Sequence, residues 1–273
     1  MTGGPTHPCR VAERFGEILL REEICRLRDE RRALILAHCE EPDAVKGTAD
    51  VVGDDLALLW AAKSSAVGDL VVCAPRTVAE TVQLLCPDTR VTSPNQDDPS
   101  APGQEPDPGD LRAAHQKHPR AALVVGVRSP LEAKALADIT CTPETLREVV
   151  GNLEEDKILL AVPGLDPSTL PEAWAMGKKI VAVHTGGQKE RPAACCTESG
   201  GAGALSVAPE DGVWRGAFFP RRCTICHEMT ETSLPDLYRT MVTGEPRVEI
   251  PSSLLPQARR AVQRMMDVLG SLP

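Results

Sequence analysis

A layered α/β fold with short parallel sheets is the class this chain predicts, and three observations predict it. Only 3% of its 273 residues are aromatic while 42% are hydrophobic. The core must therefore be built from Ala, Val, Leu and Ile, the residues of strands buried on both faces. Short Val/Leu runs alternate with helical periodicities along most of the chain, as in βαβ units. Two segments also resemble each other: "LVVCAPRTVAETVQLL" from Leu70 and "LVVGVRSPLEAKALAD" from Leu123. Each reads as strand, arginine-bearing turn, Ser or Thr near an N-cap, then helix, as a duplicated βα unit would.

The elements follow in order. Val11, Phe15, Ile18, Leu19, Ile24 and Leu27 recur at helical spacing among charges and predict a helix over 11–30. A strand over 33–38 ends on His38, and acids, Pro42, a helix and a Gly53-Asp54-Asp55 turn follow. Then come a helix within 54–66, a strand over 69–74, a helix over 77–86, a strand over 121–127, and helices over 130–137 and 143–150. A strand over 157–162, a helix over 168–176 and a strand over 179–184 close the alternation. Residues 93–110 and 185–203 are irregular and rich in Pro, Gly or charge, hence loops. "SLPDLYRTMV" and "LLPQARRAVQRMMDVL" have helical spacing. Ligands in open α/β sheets sit at the carboxyl ends of strands, which makes His38, Arg76 and Arg128 candidate pocket residues.

Charge and segment composition exclude some functions. A formal charge of −9 with no basic run argues against nucleic acid as a partner, since counterion release needs a concentrated basic surface. Nothing reads as a signal peptide or an apolar span, so the expectation is a cytoplasmic protein without membrane contact.

Nine of the ten cysteines divide by environment. Cys25, Cys73, Cys86 and Cys141 fall in apolar periodic segments and read as small buried hydrophobes. Cys39, Cys195, Cys196, Cys223 and Cys226 fall at strand ends or in loops and are candidate ligands. Cys223-x-x-Cys226 followed by His227 is half of a zinc pattern, and adjacent cysteines rarely serve one ion. A redox disulfide between Cys223 and Cys226 is the alternative. His38 and His184 close apolar strands as candidate acid–base or orienting residues, whereas His115 and His118 sit on a polar helix.

Five motifs taken in order, "ILAH…P…ADVVGDDLAL", "APRTVAETVQLL", "KALADITCT", "VAVH" and "FFPRRCTICHEM…SLPDLY", cover nearly the whole chain. Together they resemble the quinolinate synthase family. The resemblance implies three similar αβα layers around a pseudo-threefold axis: 1–101 with the N-terminal helix, 102–186, and a shortened 187–250, followed by a C-terminal helix over 251–273. It implies a [4Fe–4S] cluster held by one cysteine per layer, with an open iron acting as Lewis acid. It also implies condensation of iminoaspartate with dihydroxyacetone phosphate in pyridine and NAD biosynthesis.

Several positions depart from the family pattern. The first ligand cysteine falls near Ser100 and the second at Val181, so Cys223 alone has a counterpart. One thiolate of three cannot hold the cluster in the family's way. The serine that helps bind a substrate carboxylate is Asp55, the Tyr-Val-Asn strand end is Gly126-Val127-Arg128, and the Thr-Ser-Ser-Asn turn is Thr142-Pro143-Glu144-Thr145. Pro143 supplies no backbone donor. Glu40, Glu41 and Asp55 bring carboxylates where the family receives dianions, and a like-charge pair about 4 Å apart costs roughly 4 kcal/mol at an effective dielectric near 20. The simpler alternative is that Glu40 and Glu41 open a helix, where acids suit the dipole.

The leading expectation is a divergent quinolinate-synthase-like enzyme for a small nitrogen-containing molecule, acting by condensation and dehydration in specialised metabolism. Its candidate acid–base residues are His38 and His184, and its substrate-binding residues Glu40, Asp55, Arg76, Arg128 and Thr142. Cys223, with Cys195, Cys196, Cys226 or Cys39, would hold a cluster of non-standard ligation or zinc, or no metal at all. The rivals are an inactive paralogue serving as partner subunit and a metal-binding protein using the late cysteines. The expected partners are a small-molecule substrate and either a second copy or a full-length homologue.

Overall fold

The computed structural model describes residues 8–95, 106–162, 177–183 and 232–271. Its chain divides into two units, Met1–Asp97 with Thr230–Glu249, and Asp98–Met229 with Ile250–Pro273. Each contains one parallel four-stranded sheet with helices.

In the first unit, α1 (Pro8–Arg31) leads into β1 (Leu34–His38), α2 (Asp43–Lys46), β2 (Val51–Gly53), α3 (Asp55–Ser64), β3 (Asp69–Cys73), α4 (Arg76–Leu85) and β4 (Arg90–Thr92). The sheet order is β2-β1-β3-β4. β3 is buried along its whole length, the double-sided burial expected of a Val/Leu run in a parallel sheet. A later helix, α8 (Leu234–Thr243), completes the unit and packs on α1. Ser233 caps it by accepting the Asp236 N–H, and Gly244 ends it at φ +70°, a left-handed conformation open to glycine. Ile24, Ile35, Val45, Val71, Leu237 and Met241 form one core.

In the second unit, α5 (Pro108–Lys117), β5 (Ala122–Gly126), α6 (Leu131–Leu136), β6 (Ile139–Cys141), α7 (Leu146–Gly151), β7 (Lys157–Ala161) and β8 (Lys179–Ala182) are joined by α9 (Leu255–Gly270). The sheet order is β6-β5-β7-β8. α9 buries Ala258, Ala261, Val262, Met265 and Met266 and packs against α6, β6 and α7.

The duplication lies elsewhere than the two similar segments implied. By sheet position β1 corresponds to β5 and β3 to β7, so Leu70 matches Ile158 rather than Leu123. Three of the four pairs of corresponding strands are offset by 88 residues: Leu34 to Ala122, Val51 to Ile139, Asp69 to Lys157. The same offset relates Pro42 to Pro130 and Asp50 to Asp138. The segments from Leu70 and Leu123 look alike because every interior βα unit of a parallel sheet needs an apolar strand and a following helix; neither helix has the Ser or Thr cap expected, since Pro75 and Pro130 stand at the N-caps and no side chain caps either.

Other differences are local. The helix expected over 143–150 begins at Leu146, because Thr142 and Thr145 bond to each other and form a turn before it. α5 starts inside the expected loop 93–110, where Asp107 accepts the Gly109 and Asp110 N–H groups. β2, β4 and β6 were not anticipated, since three residues carry too little periodicity. The helix expected over 168–176 lies outside the described residues. So does most of the layer expected over 187–250; its described end, from Thr232, belongs to the first unit. Among the described residues, no helix is long and apolar enough to cross a membrane.

Candidate functional site

In the first unit the strand tips draw polar residues together. β1 closes on His38, whose partner across the ladder is Gly53 at the end of β2. The Cys39 N–H donates to the Gly53 carbonyl at 2.8 Å, clasping the two tips past their last rung. Gly53 has no room for a side chain: a Cβ there would lie 2.6 Å from Ala57 Cβ, in the first turn of α3. Asp54 caps α3 by accepting the Ala57 N–H at 2.8 Å, and Asp55 is the helix's first residue. This close return brings Asp55 Oδ1 to 3.4 Å from His38 Nε2. On the other side of the ring, the Glu40 N–H donates to His38 Nδ1 at 3.2 Å, with Glu40 Oε2 3.8 Å away. His38 and Asp55 are buried, whereas the Glu40 carboxylate is 43% exposed.

Glu41 has a different task from its neighbour. It is buried, and it accepts the Thr232 N–H at 2.7 Å and the Thr232 hydroxyl at 3.1 Å. Asn95 Nδ2 donates to Glu41 at 3.4 Å and to the Ala74 carbonyl at 3.2 Å, while its Oδ1 accepts from the Thr232 hydroxyl at 3.1 Å. Glu41 thus fastens the start of the α8 segment to the strand tips. Asn95 and Thr232 escaped the sequence reading because their partners are distant in the chain. Arg76 stands at the start of α4 and donates to Glu80 at 3.1 Å along the helix; its side chain is half exposed.

The second unit repeats the tip with other residues. The Val127 N–H donates to the Cys141 carbonyl at 2.9 Å, the counterpart of the Cys39 clasp. Arg128 follows where the first unit has Glu40, so corresponding places carry opposite charges. Ser129, the counterpart of Glu41, is wholly buried, and its hydroxyl has no hydrogen-bond partner among the described residues. Thr142 is buried; its N–H donates to Thr145 Oγ1 at 2.9 Å, and its hydroxyl lies 3.2 Å from the same oxygen. Lys134, on α6, is fully buried and went unnoticed in the sequence. At the 88-residue offset its counterpart is Lys46, which is only partly buried.

The thiols divide as their environments dictate. Cys73 and Cys141 are buried, whereas Cys25 and Cys86, expected to be buried with them, are only partly so. Burial pushes the Cys73 thiol well up, and the nearby Glu41 charge adds to this, while a hydrogen bond with Thr232 opposes it. Burial, followed by Glu144, raises Cys141 in the same way. Their burial therefore favours the protonated thiol at neutral pH. Cys39 is exposed at the first tip. Val181, where the resemblance calls for a cysteine, is a partly buried residue of β8 packed on the second unit's core. Among the described residues no three His, Cys, Asp or Glu side chains are grouped to hold a metal. His184, Cys195, Cys196, Cys223 and Cys226 lie outside the described residues.

Comparison with known proteins gives these features a context. Residues 22–166, more than half of the chain, match the family model described as quinolinate synthetase A protein. The quinolinate synthase of Methanoregula boonei is 28% identical over 91% of this chain and 98% of its own. That of Pyrococcus horikoshii is 28% identical over 90% and 98%. The Methanocaldococcus jannaschii protein of that name reaches 32% identity over 61% of this chain and 54% of its own.

Proposed function

The chain belongs to the quinolinate synthetase A protein family, and from that premise we propose that it is a divergent enzyme of pyridine and NAD biosynthesis. It acts on a small nitrogen-containing carboxylate by condensation and dehydration, on a substrate altered from that of its relatives. The observation that carries this reading is the His38 tip: a buried histidine clasped between Glu40 and Asp55 at the carboxyl end of a central parallel strand, where α/β folds place their ligands. His38 and His184 are the acid–base or orienting groups. In the first unit Arg76 is the group for an anionic end of a substrate, with Glu40 and Asp55 as further binding residues, and in the second unit Arg128 and Thr142 have the corresponding roles. The protein works in the cytoplasm, as a homo-oligomer or beside a full-length relative.

The residues present do not fit the family's three-cysteine iron–sulfur cluster. Val181 is an aliphatic residue packed against the second unit's core, and it offers no thiolate where one of the three should be. Cys223 with Cys195, Cys196, Cys226 or Cys39 is the set from which a cluster of other ligation, or a zinc site, would be drawn. No reaction step is routed through such a group. The same Val181 supports a second reading, an inactive paralogue that keeps the fold and serves as a partner subunit.

Purification without oxygen separates the two. Iron and sulfide, or zinc, are measured in the wild type and in Cys223→Ala, alongside consumption of nitrogen-containing carboxylates supplied with dihydroxyacetone phosphate. The enzyme reading expects turnover that Arg128→Ala abolishes and a metal content that falls in Cys223→Ala. A chain without turnover that copurifies with a full-length relative establishes the second reading instead.

A further inference from the structure

We infer that the outer face of α1 and α8 is the surface on which a second copy of this chain docks, each copy seating Ile18 and Leu19 in the other's groove. This chooses between the two partners named in the proposed function, and it holds whether or not the chain turns over a substrate.

α8 is apolar on two sides. Leu234, Leu237 and Met241 are buried in the first unit's core, while Pro235, Tyr238, Arg239 and Val242 recur at i, i+3, i+4 and i+7 along the other side. A helix with one buried stripe turns charges to water, not a second apolar stripe. With Leu20 of α1 and with Thr243, this second stripe lines an open groove of about 340 Å³. Beside it stand Ile18 and Leu19 of α1. With Val242 they are three of the four large hydrophobics left exposed among the described residues, and each of these three is more than half exposed. α1 and α8 pack on each other, so projection and groove belong to one face. A face that carries both a projection and the hollow beside it complements its own copy across a twofold axis, the isologous pairing of most dimers. The charges match this pairing. Glu22, one turn on from Ile18 and Leu19, is exposed and has no ion pair among the described residues. Arg239, at the groove's rim, is well exposed and held through one nitrogen to Asp236 at 2.8 Å. When one copy's Ile18 and Leu19 enter the other's groove, Glu22 of the first meets Arg239 of the second, and the contact repeats across the axis. An anionic membrane would instead meet Glu17 and Glu22 on the same helix. α8 is about 15 Å long and neighbouring helix axes lie about 8–10 Å apart. The face is therefore smaller than the roughly 800 Å² per partner of a standard interface, and it suits a reversible dimer with Kd on the order of 10–100 μM.

Sedimentation velocity of the full chain from about 1 to 300 μM reads the association, and the weight-average mass should rise from monomer toward dimer across that range. Leu19→Glu and Val242→Glu should each leave a monomer. Glu22→Arg and Arg239→Glu should each weaken association at least about fivefold, and the double variant, which exchanges the two charges, should return to within about twofold of wild type. Urea unfolding identifies the variants that fold like the wild type; the two apolar substitutions lie on different helices, so either serves if the other does not fold. Three results overturn the inference: a wild type monomeric throughout, a dimer unchanged by whichever of Leu19→Glu and Val242→Glu folds, or a double variant no tighter than the single ones. Adding the full-length Methanoregula boonei quinolinate synthase to a monomeric wild type then shows whether a relative takes the face instead. Turnover and metal content test the proposed function separately, so an active enzyme that stays monomeric overturns this inference alone.

Discussion

Glu41 and Glu40 are adjacent in sequence, and the chain gives no sign that they do opposite things. Both read equally well as ligand carboxylates or as first-turn acids, yet one faces water and the other is buried against Thr232, 191 residues away. A buried carboxylate survives when donors meet its lone pairs, and here an N–H, a hydroxyl and an amide do so. Removing the acceptor leaves the Thr232 N–H buried and unpaired. Glu41→Ala should therefore destabilise the protein by about 2–3 kcal/mol, the cost of stranding buried donors of a charged group. Glu41→Gln should recover part of this, since its amide oxygen accepts while its NH2 faces donors. Urea unfolding of the three proteins measures it; a Glu41→Ala change within about 0.5 kcal/mol of wild type, the range of ordinary surface substitutions, would show that its bonds to Thr232 and Asn95 add nothing to stability.

At the scale of elements, strands of four or five residues were legible and strands of three were not. What positions the short ones is a polar device that repeats with the duplication. The Asp50 N–H donates to the Ile35 carbonyl at 2.9 Å, and the Ile35 N–H donates back to Asp50 Oδ2 at 2.9 Å. Asp138 and Leu123 do the same at 2.9 and 2.8 Å. Each aspartate immediately precedes an edge strand's first rungs and fixes the register of β2 on β1, or of β6 on β5. Register matters functionally, because a one-residue slip would turn every side chain to the other face and carry Gly53 away from His38. The sequence does display the signal, as "ADVV" and "ADIT", but only a correct alignment of the repeats gives it meaning. Asp138→Asn keeps the shape and loses the charge, and should cost about 1–2 kcal/mol; Asp138→Ala should cost about 2–3 kcal/mol. Amide hydrogen exchange should show protection lost first at Leu123 and along β6. Uniform loss across the second unit, with Leu123 no worse than the rest, would show that the aspartate only adds general stability.

For the whole molecule, composition reported the class of core correctly, and the two parallel sheets of Ala, Val, Leu and Ile follow from the scarcity of aromatics. The residues that distinguish this chain from its relatives, Asp55 and Val181, were legible as departures from a pattern, whereas their surroundings required coordinates. The same core sets how stability depends on pH in the alkaline range. Cys73 and Cys141 are buried, and burial raises both thiols above their ordinary range. In the unfolded chain they ionise near pH 8.5. Above that pH the unfolded state has released protons that the folded state still holds, so stability must fall as pH rises. The stabilising effect is complete below the unfolded value and is lost progressively toward the folded one. Each thiol contributes a slope of up to about 1.4 kcal/mol per pH unit within that window. Other groups titrate there too, so the informative quantity is a difference between variants. Cys141→Ala should be less stable than wild type at pH 7 through lost packing, yet its stability should decline less steeply from pH 8.5 to 10, the gap to wild type narrowing by about 1–2 kcal/mol. Urea unfolding under reducing conditions across that range reads the gap directly; a gap that stays constant would mean that the Cys141 thiol ionises as readily folded as unfolded.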